Sequence, residues 1–199
     1  GGEQSAFPVL VLGAATLFYG GMFSTGSLDH HNIQIVAMLA TLLFLLRAGD
    51  DARHGALAGI ASVFMLAIGM ETAPYVAAAG LIVAGWFLFR GEEAGAPAAW
   101  FGWAFAASSA VVFVGTVPLS QWSQAHCDAY SVVQFAIGAL AGVGLATVVS
   151  MPRARWGMAT RAVALLALGA AVGLPAVTLF PQCLADPYAG LDPVLKANW

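Results

Sequence analysis

The sequence predicts an all-α, polytopic bundle of about seven transmembrane helices. The chain is 60% hydrophobic and only 9% charged, whereas about a quarter of the residues in a soluble domain are charged. Its mean hydropathy is +0.84, and its apolar residues gather in seven runs separated by short polar connections. A net charge of −3 with seven lysines and arginines leaves little for nucleic acid to bind. These observations indicate an integral membrane protein.

The seven apolar runs define the predicted helices in order. They occupy 7–23, 33–46, 56–70, 75–89, 98–117, 132–149 and 162–180. Several are shorter than the roughly 20 residues needed to cross a bilayer as a helix, so we expect neighbouring small and weakly polar residues to extend them. Pro74 suits the first turn of the fourth helix, where its missing N–H has no partner to lose.

Residues 1–180 are therefore predicted to form one helical domain, and 181–199 to begin an outer loop. Glycine and alanine are frequent at 138–146 and 168–174, which predicts close helix–helix packing in both segments. The chain lacks an initiator methionine and ends within a polar segment. We expect it to be an internal fragment of a longer protein.

The basic residues predict the orientation of the bundle. Six of the seven fall in the connections after the second, fourth and sixth runs: Arg47, Arg53, Arg90, Arg153, Arg155 and Arg161. Only Lys196, in the tail, falls on the other side. The positive-inside bias then makes these three connections cytoplasmic, the N-terminus cytoplasmic and the C-terminus periplasmic. The predicted location is the inner membrane of a bacterium.

The segment GSLDHHNIQIV at 26–36 places Asp29, His30 and His31 at the start of the second predicted helix. Asp29 can simply cap that helix, but capping does not explain two imidazoles. Asp29 and His31 could instead offer an oxygen and a nitrogen to one divalent ion, a ligand set that suits Mn²⁺ or Zn²⁺ better than Ca²⁺. On a helix, Gln34 shares a face with both His30 and His31 and lies one turn deeper.

Other outer segments carry further candidates. Glu71 follows an apolar run in IGMETAPY, where it is either a partner for a histidine of the site or an interfacial carboxylate. His126 could reach a substrate, or it could be a solvated loop residue. Cys127 and Cys183 both fall on the outer side, where a disulfide can form, but two unrelated thiols would fit the sequence equally.

Gly26, Asp29 and His31 form a G-x-x-D-x-H pattern in a short outer loop before a helix. This pattern resembles the second acidic motif of GT-C glycosyltransferases, particularly the catalytic subunits of oligosaccharyltransferases, although D-x-D is more common there. The resemblance implies a GT-C-like fold and a polyprenyl-phosphate-linked sugar as donor. It also implies a divalent cofactor (manganese or magnesium) held by Asp29 and His31 against the phosphate, and a glycan, lipid or protein as acceptor.

The resemblance makes Asp29 a candidate catalytic residue and implies that part of the family's site lies elsewhere. From their positions in the outer segments, Glu71 is a second candidate catalytic residue, and His30, Gln34 and His126 are candidate substrate-binding residues. If the first run is the family's third helix, the family's first acidic residue would precede Gly1.

Two other functions fit the composition. A metal- or proton-coupled transporter would need polar or broken helices at the bilayer midplane, whereas the polar groups here gather at one edge of the apolar runs. A non-catalytic membrane subunit would not need the histidine pair.

Overall fold

The computed structural model describes residues 3–21, 23, 30–151, 156–185 and 194, and within them the chain is helical with no strand. The α-helices are α1 (Glu3–Tyr19), α2 (His30–Arg47), α3 (Arg53–Ile68), α4 (Ala73–Arg90), α5 (Gly95–Thr116), α6 (Val132–Ser150), α7 (Met158–Leu179) and the short α8 (Gln182–Ala185). Short 3₁₀ turns at Met70–Thr72, Gly91–Ala94 and Leu119–Gln121 lie between α3 and α4, between α4 and α5, and after α5. The predicted all-α class is confirmed.

The seven apolar runs correspond in order to α1–α7, and local chemistry explains where several helices begin or end. The first helix ends earlier than predicted because Gly20 and Gly21 follow it, and Gly21 takes a positive φ of 68°. Pro74 lies in the first turn of α4, as predicted. A capping box starts α6: the Ser131 backbone N–H donates to Gln134 Oε1 at 2.8 Å, and the Ser131 hydroxyl accepts from the first turn.

Four helical segments are long and apolar enough to cross a membrane. They are His30–Arg47, Met70–Thr116, Val132–Ser150 and Met158–Leu179, and the second contains both α4 and α5. The helices that contain Ser5–Tyr19 and Arg53–Ile68 are apolar but shorter. By length and composition the chain is therefore a membrane protein.

The core lies where α5 packs between α3 and α6. A Cβ on Gly102 would come within 2.6 Å of the Gly142 carbonyl oxygen, and one on Gly59 within 2.6 Å of the Phe101 carbonyl oxygen. These backbones approach so closely that only glycine fits. The small residues at 138–146 thus pack as predicted.

The second predicted glycine segment behaves differently. Helix α7 has no buried residue, and a Cβ on Gly169 or Gly173 would meet nothing within 4 Å. Gly169 and Gly173 therefore make no close approach to another described helix. Leu168 of the same segment does, because a Cβ on Gly144 of α6 would collide with its side chain.

Contacts between helix ends define two opposite rims. The start of α2 meets the α3–α4 turn, and the disulfide between Cys127 and Cys183 joins the α5–α6 loop to the chain after α7. We call this end the site rim. At the opposite end the Arg161 guanidinium donates to the Phe87 carbonyl oxygen of α4 at 3.0 Å.

This opposite end is the basic rim. It carries the described basic residues Arg47, Arg53, Arg90 and Arg161. Arg153, Arg155 and Lys196 lie outside the described residues.

Candidate functional site at the site rim

A cleft opens at the site rim between α2, the end of α3 and the start of α4. Its volume is about 370 Å³. Polar side chains line one part: His31, Gln34, Glu71 and Thr72. Apolar side chains and a tyrosine line the rest: Ile35, Met38, Met65 and Tyr75. The cleft thus joins a charged region to an apolar surface.

Four polar side chains, His30, His31, Gln34 and Glu71, converge in and beside this cleft, and we call them the rim cluster. Glu71 Oε1 lies 3.0 Å from His30 Nε2 and 3.8 Å from His31 Nε2. The Gln34 Nε2 group donates to the same oxygen at 2.7 Å. The two imidazole rings lie side by side with centroids 4.1 Å apart. One carboxylate therefore gathers three side chains from the first turns of α2.

Glu71 is held by a rigid turn. The Thr72 hydroxyl contacts the carbonyl oxygens of Gly69 at 2.7 Å and Met65 at 3.1 Å, and Thr72 is buried. The Gly69 N–H donates to the Met65 carbonyl oxygen, which ends α3. Because these bonds satisfy the backbone where the chain reverses, the position of the Glu71 backbone is well defined.

The electrostatics favour an ionised Glu71. Partial burial raises the pKa of its carboxyl, but hydrogen bonds from Gln34, from its own backbone N–H and from His30, with the charge of His30, outweigh burial, so the pKa lies below its ordinary value. The side chains of His30, His31 and Glu71 remain 40–45% exposed. The carboxylate is thus charged and accessible.

The donor set fits a divalent metal ion. His30, His31 and Glu71 each offer a ligand atom, and these atoms lie within 4.8 Å of one another. Metal–ligand bonds of about 2.0–2.2 Å separate two ligands of one ion by about 3–4 Å, so small ring rotations would bring all three into range. Two imidazole nitrogens and one carboxylate oxygen suit a transition metal better than Mg²⁺ or Ca²⁺.

The structure brings together only part of the predicted site. His31, His30, Gln34 and Glu71 converge, whereas Asp29, the predicted metal ligand and catalytic residue, lies outside the described residues together with Gly26. The structure thus gives Glu71 a direct place beside both histidines. Gly69, which lies against Gln34 and Glu71, was missed from the sequence; its position two residues before Glu71 was the available signal.

His126 lies in the α5–α6 loop and is not a member of the rim cluster within the described chain. Its carbonyl oxygen accepts from the Ser131 hydroxyl at 2.8 Å and from Gln134 Nε2 at 3.2 Å. Cys127, the next residue, forms a disulfide with Cys183, with the two Cα atoms 5.1 Å apart. These bonds tie the backbone at His126 to the start of α6 and the next residue to the chain after α7.

Tyr130 closes the same loop onto α5. Its hydroxyl donates to the Ser109 carbonyl oxygen at 3.2 Å. Burial raises the pKa of Tyr130, so its hydroxyl stays protonated and remains a hydrogen-bond donor.

Comparison of the chain with protein-family models, with curated proteins and with solved structures found no match. The rim cluster and its cleft are therefore the observations from which a function is inferred.

Proposed function

We propose that this chain is the membrane portion of a GT-C-type glycosyltransferase that uses a polyprenyl-phosphate-linked sugar at the outer face of the membrane. The observation that carries the proposal is the cleft at the site rim, where the rim cluster adjoins an apolar surface. A lipid-linked sugar has the matching chemistry, because a charged phosphate joins its sugar to an apolar chain. The pattern at Gly26, Asp29 and His31 supports the same class.

In this proposal His30, His31 and Glu71, together with Asp29, hold a divalent metal ion. When bound, the ion would neutralise the charge that develops on the phosphate as the glycosidic bond breaks. The chain's own residues position this centre: α2 supplies the imidazoles, and the α3–α4 turn supplies the carboxylate. Ile35 and Met38 are half-buried and line the cleft beside the cluster, so they would contact the first isoprenoid units.

Two features support placing the site rim on the outer side. The basic rim carries the described arginines, which favours a cytoplasmic location for that end. The site rim carries the disulfide, and disulfides persist in oxidising compartments such as the periplasm. These indications come from different residues and agree.

The described spans offer little support for a transporter. Away from the helix starts, the buried polar side chains of these spans are small hydroxyls. Those of Thr41 and Ser62 donate to carbonyl oxygens of their own helices, at Ala37 and Ala58. That of Ser109 in α5 has no hydrogen-bond partner among the described residues. Within the described part of the chain, the cluster of potential ligands lies at the rim instead. A rim location suits an enzyme that acts on a lipid headgroup.

The test is sugar transfer by the full-length protein from radiolabelled polyprenyl-phosphate-linked and polyprenyl-pyrophosphate-linked sugars. Glu71→Gln keeps the side-chain shape but removes the charge of a proposed metal ligand, and we expect transfer to fall by more than the roughly 100-fold that loss of a ligand's hydrogen-bond partner can cause. We expect a similar fall for Asp29→Asn. Because asparagine keeps the capping oxygen, a capping role alone predicts a loss of stability of about 1 kcal/mol or less and no fall in transfer. Release of label from the lipid phase measures sugar transfer by each variant.

Glu93→Gln is the matched control, because Glu93 is an exposed glutamate of the basic rim. It should transfer sugar at the parent rate. Full transfer by both Glu71→Gln and Asp29→Asn would overturn the proposal.

A further inference from the structure

Gln34 is the member of the rim cluster that is no obvious metal ligand. It is only 5% exposed, although it lies near the start of α2 beside solvent-accessible histidines. Its carboxamide crosses from α2 to the α3–α4 turn, where Nε2 donates to Glu71 Oε1 at 2.7 Å. This is the shortest contact that Glu71 makes in the rim cluster. When a buried amide donates a hydrogen bond to a carboxylate of a site, it fixes the orientation of that carboxylate.

Gly69 is the second part of the same arrangement. Its φ of −171° is extended, so any residue could adopt the backbone, and the need for glycine is steric. A Cβ there would come within 2.5 and 2.6 Å of the two carboxylate oxygens of Glu71, and would also collide with Gln34 Nε2. The Glu71 carboxylate and the Gln34 amide therefore meet in the space that a side chain at position 69 would fill.

The α3–α4 turn does not by itself fix the side-chain conformation of Glu71. Thr72 fixes the backbone of the turn, but a glutamate side chain retains several rotamers unless a partner selects one. Gln34 is such a partner, and Gly69 leaves room for the selected rotamer. In that rotamer Oε1 lies beside both imidazole Nε2 atoms.

We infer that Gln34 and Gly69 are positioning residues that hold the Glu71 carboxylate in place as a metal ligand beside His30 and His31. The inference rests on the proposed metal site, and it names the two residues that hold a ligand of that site in position before the ion binds. With the carboxylate held beside two imidazoles, the site discriminates in favour of Mn²⁺ or Zn²⁺ over Mg²⁺, because nitrogen ligands suit the first two ions better. Without Gln34, Glu71 must lose its rotamer freedom when the ion binds, and affinity falls.

The experiment measures metal binding to the purified full-length protein after chelator treatment, by titration calorimetry with Mn²⁺, Zn²⁺ and Mg²⁺ separately. Gln34→Met keeps the length of the side chain and removes its donor. Gly69→Ala adds the Cβ that displaces the carboxylate. We expect each variant to bind Mn²⁺ and Zn²⁺ about 10- to 100-fold more weakly, with the preference over Mg²⁺ reduced.

Two further variants test the mechanism. Gly80→Ala is the matched control for Gly69→Ala, because a Cβ at Gly80 meets nothing within 4 Å, and it should bind metal as the parent does. The double variant Gln34→Met with Gly69→Ala should lose no more affinity than the weaker-binding single variant, since both changes act on one carboxylate. Additive losses would contradict a shared role.

Glu71→Gln and His31→Ala separate failure of this inference from failure of the proposed function. If neither changes metal affinity, the metal site and the function built on it are both wrong. If both weaken binding while Gln34→Met and Gly69→Ala bind normally, the site stands and the positioning role is overturned. A lowered melting temperature in Gln34→Met with unchanged metal affinity would likewise overturn it, because it would leave Gln34 a purely structural residue.

Discussion

The two 3₁₀ turns at the ends of α4 carry the same residue types in different surroundings. The turn at Met70–Thr72 follows Gly69 and contains Glu71, and the turn at Gly91–Ala94 begins with Gly91 and contains Glu93. Glu71 contacts three side chains of α2. Glu93 pairs with Arg90 at 3.3 Å, with both side chains 65–73% exposed. Among the described residues, only the first turn meets a second helix that brings polar side chains to its carboxylate.

The glycines of these turns differ in the same way. Gly69 has extended backbone and is needed because side chains occupy its Cβ position, whereas Gly91 has a φ of 60°. A Cβ on Gly91 would also come within 2.5 Å of the Arg161 guanidinium. Gly69 therefore serves the rim cluster, while Gly91 serves the connection between α4, α5 and α7. Residue type alone does not separate a site from a structural turn; the partners do.

The largest expected difference is the side of the membrane that the two rims face. Gln121 on the site rim and Glu92 on the basic rim are both exposed, so each can be replaced by cysteine in a separate variant. A membrane-impermeant maleimide applied from outside should label the first fully and leave the second unlabelled in intact cells. The unsubstituted protein is the control, because its cysteines are joined in a disulfide. Labelling of position 92 alone would reverse the proposed orientation.

The next difference is in stability. Gly91→Ala forces a side chain into a backbone conformation that costs about 1–3 kcal/mol, and it also displaces Arg161. Gly69→Ala keeps an allowed backbone conformation but displaces the ends of the Glu71 and Gln34 side chains, and loss of their hydrogen bond should cost about 0.5–1.5 kcal/mol. Thermal unfolding of the two variants in the same detergent measures the contrast. Equal destabilisation would mean that Gly69, too, is chiefly a structural residue.

The smallest effect is expected for the exposed ion pair. Glu93→Gln should change the free energy of unfolding by about 0–1 kcal/mol, since surface pairs of this kind contribute little. A loss clearly above that range would show that the Gly91–Ala94 turn depends on its charge, and would remove the basis for using this variant as a neutral control. Thermal unfolding at low and high salt measures it, because screening should abolish what effect there is.

Much of the fold could be predicted from the sequence, since apolar runs end where Gly, Pro and charged residues interrupt them. The predicted runs 75–89 and 132–149 differ from α4 and α6 by at most two residues at either end. The packing of α7 could not be predicted in this way, because glycines at helical spacing look the same whether they face a helix or lipid. Only the neighbouring helix distinguishes Gly142 from Gly169.

The rim cluster shows the same limit. His30, His31 and Gln34 could be placed on one helical face from their spacing, and Glu71 could be named as a possible partner for a histidine. The bond between Gln34 and Glu71 joins residues 37 positions apart, so it depends on how α2 packs against the α3–α4 turn. The sequence predicts Gln34 to contact substrate, and that stays a prediction. The packing adds what the sequence could not show, namely that its amide donates to Glu71.

The disulfide has a consequence for the biogenesis of the chain. Cys127 and Cys183 are separated by 56 positions, a stretch that includes all of α6 and α7. If the chain is synthesised and inserted in sequence order, Cys127 cannot pair with Cys183 until both of these helices have been made. Bond formation then marks the completion of insertion for α7, a helix that buries no side chain of its own.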